Sequence, residues 1–457
     1  MHEHRQMHLN CHIVGVGQHP AGWRTLRNTR AIVDPDFYRR VARVAEQGKF
    51  DALFFSDSLS LHGHAHGPSQ MLDPLVVASA LALVTERIGL ICTASTTFSD
   101  PFSLARRFLS LDQMSGGRAG WNAVTTYNPA AAANFGPVAL PSAAERYARA
   151  DEFIDVTIKL WESWGERALV ADAASGVFAD PAQVRRIDHH GRHFDIAGPL
   201  NVPRSPQGRP LLVQAGASEA GLELAARHAD MVFTSQHSLE GAQRFYADLK
   251  SRVHAKGRDP DQFGILPGLY PVIGSTMAEA RARKDEMDAL RDPGGDIEML
   301  ARQFGIRPED LALDAPLPYE RIARASRDHV SHGFAAQMIG FARGKNLTVR
   351  ELIGHNLGMH RIVVGTPESI ADDMTQWFEQ GGGRRLQPEL RRIPRRAADD
   401  GRARRAVAAE ARAVPIGLFG AYAEGPSRRA QLNAPRRRAS LARRARDTAG
   451  PGRWRPS

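Results

Sequence analysis

Residues 209–235 have the sequence RPLLVQAGASEAGLELAARHADMVFTS, and the folding pattern of the chain is clearest there. The first apolar run of this stretch, Leu211–Gln214, is too short for a helix and lies between Pro210 and Gly216, which favours a buried strand. A second apolar run at residues 231–233 has the same character. The amphipathic residues between the two runs predict a helix, so the stretch indicates one strand–helix–strand unit.

Ser218 precedes the helical part of this unit, residues 219–227, and its side chain is suited to cap the first turn. The N-terminus of such a helix presents free backbone N–H groups and the positive end of the helix dipole, which together attract an anion, most often a phosphate. An ordinary capped helix that binds nothing explains the same residues. From this segment alone, both interpretations stay open.

The composition bounds the class of protein. No apolar run approaches the ~20 residues of a membrane span, and residues 1–12 lack the apolar core of a signal peptide. The two cysteines, Cys11 and Cys92, give neither a disulfide framework nor the spacing of a metal site. We therefore expect a cytoplasmic protein without a membrane partner, whose 457 residues suffice for one large barrel or two domains.

Charge is unevenly distributed along the chain. Of the 60 basic and 50 acidic residues, the segment from Gly381 onward holds 20 arginines, no lysine and six acidic residues. The body, residues 1–380, therefore has a net charge of −4 and the tail +14. Any argument from charge to an anionic partner such as nucleic acid concerns the tail alone.

Three Asp-Pro pairs begin predicted helices, each in the loop after a predicted strand: Asp34-Pro35, Asp73-Pro74 and Asp100-Pro101. The aspartate is a good N-cap and proline fits the first helical position. Repeated strand–helix units indicate a parallel sheet, and at this length a (β/α)₈ barrel is favoured over an open sheet. The pattern breaks at about residues 165–209 and 292–346, which we interpret as insertions on the rim.

Polar side chains follow the predicted strands at their carboxyl ends, namely Asp57, Thr93, Asn122 and Ser218. A β/α barrel carries its active site on that face. Any one of these residues is more often a loop cap than a ligand, but four of them at the same end favour a binding site.

Two groups of histidines lack the spacing of zinc sites. The first group is His62, His64 and His66, and the second is His189, His190 and His193. We predict no metal site.

The chain resembles one known family through several runs in the same order. They are GQHPAGWR, FDALFFSDSL, ICTASTTFSDPFSLARRFLSLDQMSGGRAGWNAVTTYN, ERYARADEFI, HFDIAGPLNVPRSPQGRPLLVQAGAS, ARGKNLTVRELI and GMHRIVVGTPESIAD. The family is the nitrilotriacetate/dibenzothiophene-sulfone monooxygenase group of the bacterial-luciferase-like superfamily. This resemblance covers roughly residues 8–380 and is far more specific than any single motif.

The resemblance implies a (β/α)₈ barrel that receives reduced FMN (FMNH₂) from a separate NAD(P)H:flavin reductase. Such an enzyme uses O₂ to insert one oxygen atom into a small organic substrate through a flavin C4a-hydroperoxide. We also expect a homo-oligomer, a dimer or a tetramer. The resemblance does not imply the substrate, because the family includes enzymes for aminopolycarboxylates, sulfones and thioethers.

Four residues match the flavin-binding positions of the family: Asp57, Thr93, Tyr147 and Ser218. The resemblance implies that Ser218 and the neighbouring N–H groups hold the FMN phosphate. His19 and Asn122 match positions near the flavin and are candidates for contacting the substrate or the hydroperoxide. One position differs from the family pattern. Ala143 lies four residues before Tyr147, where the family commonly has histidine. One flavin contact is therefore missing or replaced.

The tail also departs from the family, in which the last clear helix is followed by the apolar eighth strand of the barrel. Here the residues from Gly381 onward are rich in Arg, Ala and Pro, with no apolar run at that place. We expect a barrel domain over residues 1–380, with its eighth strand in doubt, and a disordered tail over residues 381–457. A natural basic tail could contact RNA or anionic surfaces. We favour a shift of the reading frame near codon 381.

Two other functions are consistent with the sequence. One is a deazaflavin-dependent oxidoreductase of the same superfamily, in which hydride transfer replaces oxygenation. The other is a non-enzymatic protein that binds nucleic acid through its basic tail; for the folded body we expect no nucleic-acid partner. Oxygen consumption with FMNH₂ tests the first alternative, and deletion of residues 381–457 tests the second.

Overall fold

The computed structural model describes residues 7–61, 72–136, 139–216, 218–325, 332–357, 360–381 and 417–423. Its strands are β1 (Met7–Ile13), β2 (Ala52–Phe55), β3 (Gly89–Ser95), β4 (Ala119–Val124), β5 (Leu169–Asp172), β6 (Val177–Ala179), β7 (His189–His190), β8 (Asp195–Ile196), β9 (Leu211–Gln214), β10 (Met231–Thr234), β11 (Gly264–Ile273), β12 (Asn356–Leu357), β13 (His360–Gly365) and β14 (Gly417–Ala423).

The helices are α1 (Pro35–Gln47), α2 (Pro74–Ala82), α3 (Pro101–Ser115), α4 (Pro129–Ala132), α5 (Ala143–Trp161), α6 (Glu219–His228), α7 (Leu239–Ala255), α8 (Met277–Ala289), α9 (Pro293–Phe304), α10 (Tyr319–Ala325), α11 (His332–Lys345), α12 (Val349–His355) and α13 (Pro367–Gly381). Within the described ranges, every helix is too short or too polar to span a membrane.

The central sheet curls into a barrel. Its strand order is β10-β9-β4-β3-β2-β1-β14-β11-β13-β12, and β10 also pairs with β11, which joins the two sides of the sheet. Eight of these strands run parallel to one another: β1, β2, β3, β4, β9, β10, β11 and β13. Helices follow most of the parallel strands, so the predicted β/α barrel class is confirmed.

Strand β14 lies between β1 and β11 and is antiparallel to both. It pairs with β1 from Met7↔Tyr422 to His12↔Gly417, and with the first half of β11. Here the structure differs from the expectation of a tail without a strand, because an apolar strand occurs farther along the chain than the sequence comparison with the family suggested. The division into a barrel domain, residues 1–380, and a tail, residues 381–457, stays a prediction, as does the frame shift.

Local capping explains where the helices begin. Ser218 caps α6 as predicted, and its Oγ accepts a hydrogen bond from the backbone N–H of Gly221 at 3.2 Å. The aspartates of the three Asp-Pro pairs, Asp34, Asp73 and Asp100, likewise accept hydrogen bonds from backbone N–H groups in the first turns of α1, α2 and α3. These side chains fix the direction in which each helix leaves the carboxyl end of the preceding strand.

Large aromatic side chains fix α3 and α5 against the sheet. Trp121 of β4 is fully buried, and its ring centroid lies 5.8 Å from Phe108 of α3 and 5.8 Å from Phe153 of α5. Trp161 of α5 meets Trp121 edge-on at 6.2 Å. Because these rings bury much apolar area, they hold β4, which carries Asn122, in a rigid position.

Different contacts hold the two predicted insertions in place. The first contains the hairpins β5–β6 and β7–β8. Glu152 of α5 anchors it by accepting hydrogen bonds from the backbone N–H groups of His193 and Phe194. The second insertion forms helices α9, α10 and α11, which with α12 enclose an apolar cluster of their own that includes Leu300, Phe304 and Met338.

Candidate functional site

Three of the predicted site residues lie at the carboxyl ends of neighbouring strands. Thr93 of β3 is directly opposite Asn122 of β4 in the sheet register. Both side chains are buried, and Nδ2 of Asn122 donates a hydrogen bond to Oγ1 of Thr93 at 2.8 Å. Asp57 follows the adjacent strand β2, and its Oδ1 accepts a hydrogen bond from the N–H of Ser58 at 2.8 Å.

The Asp57 carboxyl has an unusual environment for an acid. Burial raises its pKa above the ordinary value, and the nearby charge of Asp73 raises the pKa further, against the lowering effect of the Ser58 N–H. Asp57 is therefore protonated more readily than an exposed aspartate, and it repels a nearby anionic ligand less strongly.

Tyr147 and Ser218 meet at the N-terminus of α6. The Tyr147 hydroxyl lies 3.0 Å from Oγ of Ser218, although the two residues are 71 positions apart in the chain. Gly221 makes this contact possible, because a Cβ there would lie 3.1 Å from Oγ of Ser218 and 3.2 Å from the Tyr147 hydroxyl. Two hydroxyl groups and the first N–H groups of a ten-residue helix thus lie together, and we call this group the cradle. The binding of an anion there stays a prediction.

Gln214 lies at the same carboxyl end of the sheet, and the sequence analysis did not single it out. It is the last residue of β9 and pairs in register with Ala123, next to Asn122. In the described part of the chain, Oε1 of Gln214 and Oδ1 of Asn122 are buried without a hydrogen-bond partner. Buried polar atoms are nearly always bonded, so Oδ1 of Asn122 is available to a ligand or an ordered water that donates a hydrogen bond. Gln214 is opposite Ala123, so its side chain leaves the sheet on the other face from that of Asn122. The available signal was a polar residue at the end of an apolar strand, two residues before a glycine.

A family model described as luciferase-like monooxygenase matches residues 16–385 of the chain. The chain belongs to the luciferase-like monooxygenase family. The prediction of a flavin-dependent monooxygenase is thereby confirmed at the level of the family.

Individual relatives support the same assignment. The chain is 40% identical over 381 residues to N-acetyl-S-(2-succino)cysteine monooxygenase of Bacillus subtilis (strain 168), with 82% of this chain and 86% of that protein covered. It is 39% identical over 395 residues to nitrilotriacetate monooxygenase component A of Aminobacter aminovorans, with the same shares covered. The crystal structure of EDTA monooxygenase from Chelativorans sp. BNC1 superposes with a TM-score of 0.69 at 36% identity and covers 82% of this chain and 87% of its own. The predicted resemblance and fold are confirmed.

His19 is buried, and both nitrogens of its ring have polar partners. Its ring is buried, Nδ1 accepts a hydrogen bond from the N–H of Ala21 at 3.2 Å, and Nε2 lies 3.2 Å from Oδ1 of Asp288 on α8. With both ring nitrogens used in this way, His19 fastens the loop after β1 to α8. A direct contact between His19 and a substrate stays a prediction, and it would require one of these bonds to open.

Inside the barrel, rings from four strands meet: His12 of β1, Phe54 of β2, Phe233 of β10 and His360 of β13. Their centroids are 5.2–6.1 Å apart. Burial holds the pKa of His12 well below its ordinary value, and burial together with His237 lowers the pKa of His360 to about 3. Both imidazoles are therefore neutral at physiological pH, and this cluster is an uncharged part of the barrel interior.

Within the described residues, no three His, Cys, Asp or Glu side chains form a group that could hold a metal ion. His189 lies 3.1 Å from Glu152, and His190 lies 2.9 Å from Asp195, so these histidines take part in ion pairs or hydrogen bonds of the insertion. The other histidine group of the sequence, at positions 62, 64 and 66, lies outside the described residues.

The raised pKa of Asp57 predicts a pH-dependent contribution to stability. The Asp57 carboxyl has a higher pKa in the folded protein than in the unfolded chain, so the folded state favours the protonated acid. The stabilisation from this difference is fully present below the pKa of Asp57 in the unfolded chain. It is lost as the pH rises through the pKa of Asp57 in the folded protein. The variant Asp57→Asn does not lose stability in this way, because an asparagine side chain does not titrate. Urea unfolding at about pH 4 and about pH 7 should therefore show that the wild type loses more free energy of unfolding than the variant across this range. A constant difference between the two proteins at both pH values would contradict this prediction.

Proposed function

We propose that this protein is the oxygenase component of a two-component monooxygenase. It binds FMNH₂ delivered by a separate NAD(P)H:flavin reductase and uses O₂ to insert one oxygen atom into a small organic substrate. The observation that carries the proposal is the cradle of Tyr147, Ser218 and Gly221 in a chain of this family. The relative from Aminobacter aminovorans is named as one component of its enzyme, which supports a separate reductase as partner.

The residues of the site fit the parts of FMN. The phosphate suits the N-terminus of α6 and the two hydroxyls, because both supply donors to an anion. Glu219, the acidic residue at the first position of α6, does not oppose this binding strongly, since Arg252 of α7 holds it through nitrogen–oxygen contacts of 2.5 and 3.0 Å. The unpartnered Oδ1 of Asn122 suits an N–H donor of a flavin ring.

When it is bound, reduced FMN supplies the electrons that activate O₂. The protein has to bind the flavin, orient the substrate and exclude water. The cluster of His12, Phe54, Phe233 and His360 is suited to this, because it places uncharged rings inside the barrel. Because the flavin supplies the reactive chemistry and the protein supplies binding, no acid–base dyad is needed at the carboxyl ends of β2, β3 and β4.

Two serine caps provide a matched test of the phosphate site. Ser218 caps α6 and Ser238 caps α7, and each accepts a hydrogen bond from a glycine N–H three residues later. Ser218→Ala and Ser238→Ala should each lower the free energy of unfolding by about 1 kcal/mol. In an anaerobic titration, only Ser218→Ala should weaken FMNH₂ binding, by about ten-fold, because it alone loses a hydrogen bond to the charged phosphate.

Several results would contradict the proposal. Equal FMNH₂ affinity of the two variants would exclude the phosphate from α6, and a wild-type protein that binds no FMNH₂ would exclude the cofactor. Air admitted to the complex should produce oxygen uptake that depends on the bound flavin. Binding of a reduced deazaflavin without oxygen uptake would favour the hydride-transfer alternative.

The departure at Ala143 predicts a gain of affinity. Ala143 lies one helical turn before Tyr147 on α5 and is exposed, so a histidine there would lie on the same face as the cradle. Ala143→His should tighten FMNH₂ binding about three-fold, the size expected of one added exposed charge contact. Ala144→His is the matched control because its side chain leaves the helix in another direction. A gain of equal size in both variants, or a gain in neither, would contradict the interpretation.

A further inference from the structure

Arg146 occupies the first position on the buried face of α5. Residues 146, 150, 153 and 157 are spaced so that they share one side of the helix. Ala150, Phe153 and Thr157 are fully buried, and the Phe153 ring packs against Trp121 of β4. A charged residue therefore extends the apolar face of α5 by one turn.

This turn lies beside the carboxyl ends of the strands. Helix α5 follows β4 and returns along the outside of the barrel, so its first residues lie at the ligand-binding face. Arg149, in the same part of the helix, donates hydrogen bonds to the carbonyl oxygens of Thr96 and Ser99, at the end of β3 and just after it. The neighbouring residue Tyr147 belongs to the cradle. Arg146 therefore lies next to the cradle, on the side of the sheet.

The charge of Arg146 has no acidic partner in the described part of the chain. Its side chain is half-buried, Nη1 donates to the carbonyl oxygen of Pro141, and Nε is buried without a hydrogen-bond partner. The preceding acid, Glu145, contacts Arg192 at 2.9 Å instead. Burial lowers the pKa of the Arg146 guanidinium. A partly desolvated cation without a counter-ion is unfavourable, which favours an anion at this place.

The cradle itself lacks a positive side chain. Tyr147, Ser218 and Gly221 supply hydrogen-bonding groups and space, and the helix supplies only a partial charge. Arg252 of α7 is close to the first turn of α6, but three carboxylates share its charge. A phosphate group carries about two negative charges near neutral pH, so the cradle alone leaves most of this charge without a counter-ion.

We propose that Arg146 is a further ligand of the FMN phosphate, together with Tyr147 and Ser218. Because Nη1 binds Pro141, the edge formed by Nε and Nη2 is left for the ligand. This edge of a guanidinium matches two oxygens of a phosphate group. The inference rests on the proposed function, because it takes FMN as the ligand of the cradle.

Anaerobic titration with FMNH₂ and with reduced riboflavin, which lacks the phosphate, tests this role. Arg146→Gln should weaken FMNH₂ binding about ten-fold and leave riboflavin binding within about two-fold, because only FMNH₂ has the charged partner. Arg146→Lys keeps the charge but not the planar edge, so it should weaken FMNH₂ binding by only about three-fold.

Arg227→Gln is the matched control. Arg227 of α6 contacts Asp151 of α5 at 2.6 Å, so this variant removes a positive charge from the other end of the same helix pair. It should change neither affinity. Equal weakening in the control, or equal weakening of both flavins by Arg146→Gln, would overturn the role of Arg146. Unchanged FMNH₂ affinity of Arg146→Gln would also overturn it and leave the oxygenase function intact.

Calorimetry with inorganic phosphate separates this inference from the proposed function. A wild-type protein that binds no FMNH₂ would overturn the oxygenase function. Phosphate binding by that protein, lost in Arg146→Gln and kept in Arg227→Gln, would still support an anion site at Arg146. Failure of the wild type to bind either FMNH₂ or phosphate would overturn both.

Discussion

Closure of the β barrel is the constraint on which the rest of this structure depends. A barrel avoids unpaired strand edges only when every strand has two neighbours. Without β14, one edge of β1 and the first half of β11 would present rows of unpaired N–H and C=O groups. The backbone of β14 satisfies them although it runs antiparallel, because ladder hydrogen bonds require an extended partner and not a particular direction.

The candidate site inherits its geometry from this closed sheet. The register places Thr93 opposite Asn122, so these two polar side chains lie together on one face of the sheet. The cradle of Tyr147 and Ser218 lies at the start of α6, which follows β9.

Features that depend on neighbouring residues could be predicted from the sequence. The Asp-Pro caps, the Ser218 cap and the strand–helix pattern are local, and they gave the barrel class. Contacts between distant residues could not be predicted in this way. Asp288, which forms a hydrogen bond with His19, is 269 positions away in the chain. Gln214 lies near the candidate site only because β9 pairs with β4. Tyr147 was found through the family resemblance, and β14 was missed because its pairing with β1 joins opposite ends of the chain.

Hydrogen–deuterium exchange of the full chain tests the closed barrel most directly. Peptides that cover β1 and the first half of β11 should exchange as slowly as peptides from β3 and β4, because β14 pairs with both strands. Peptides from Gly417–Ala423 should be protected to the same degree. Fast exchange in β1, in the first half of β11 and in residues 417–423, beside slow exchange in β3 and β4, would show an open barrel and contradict this account.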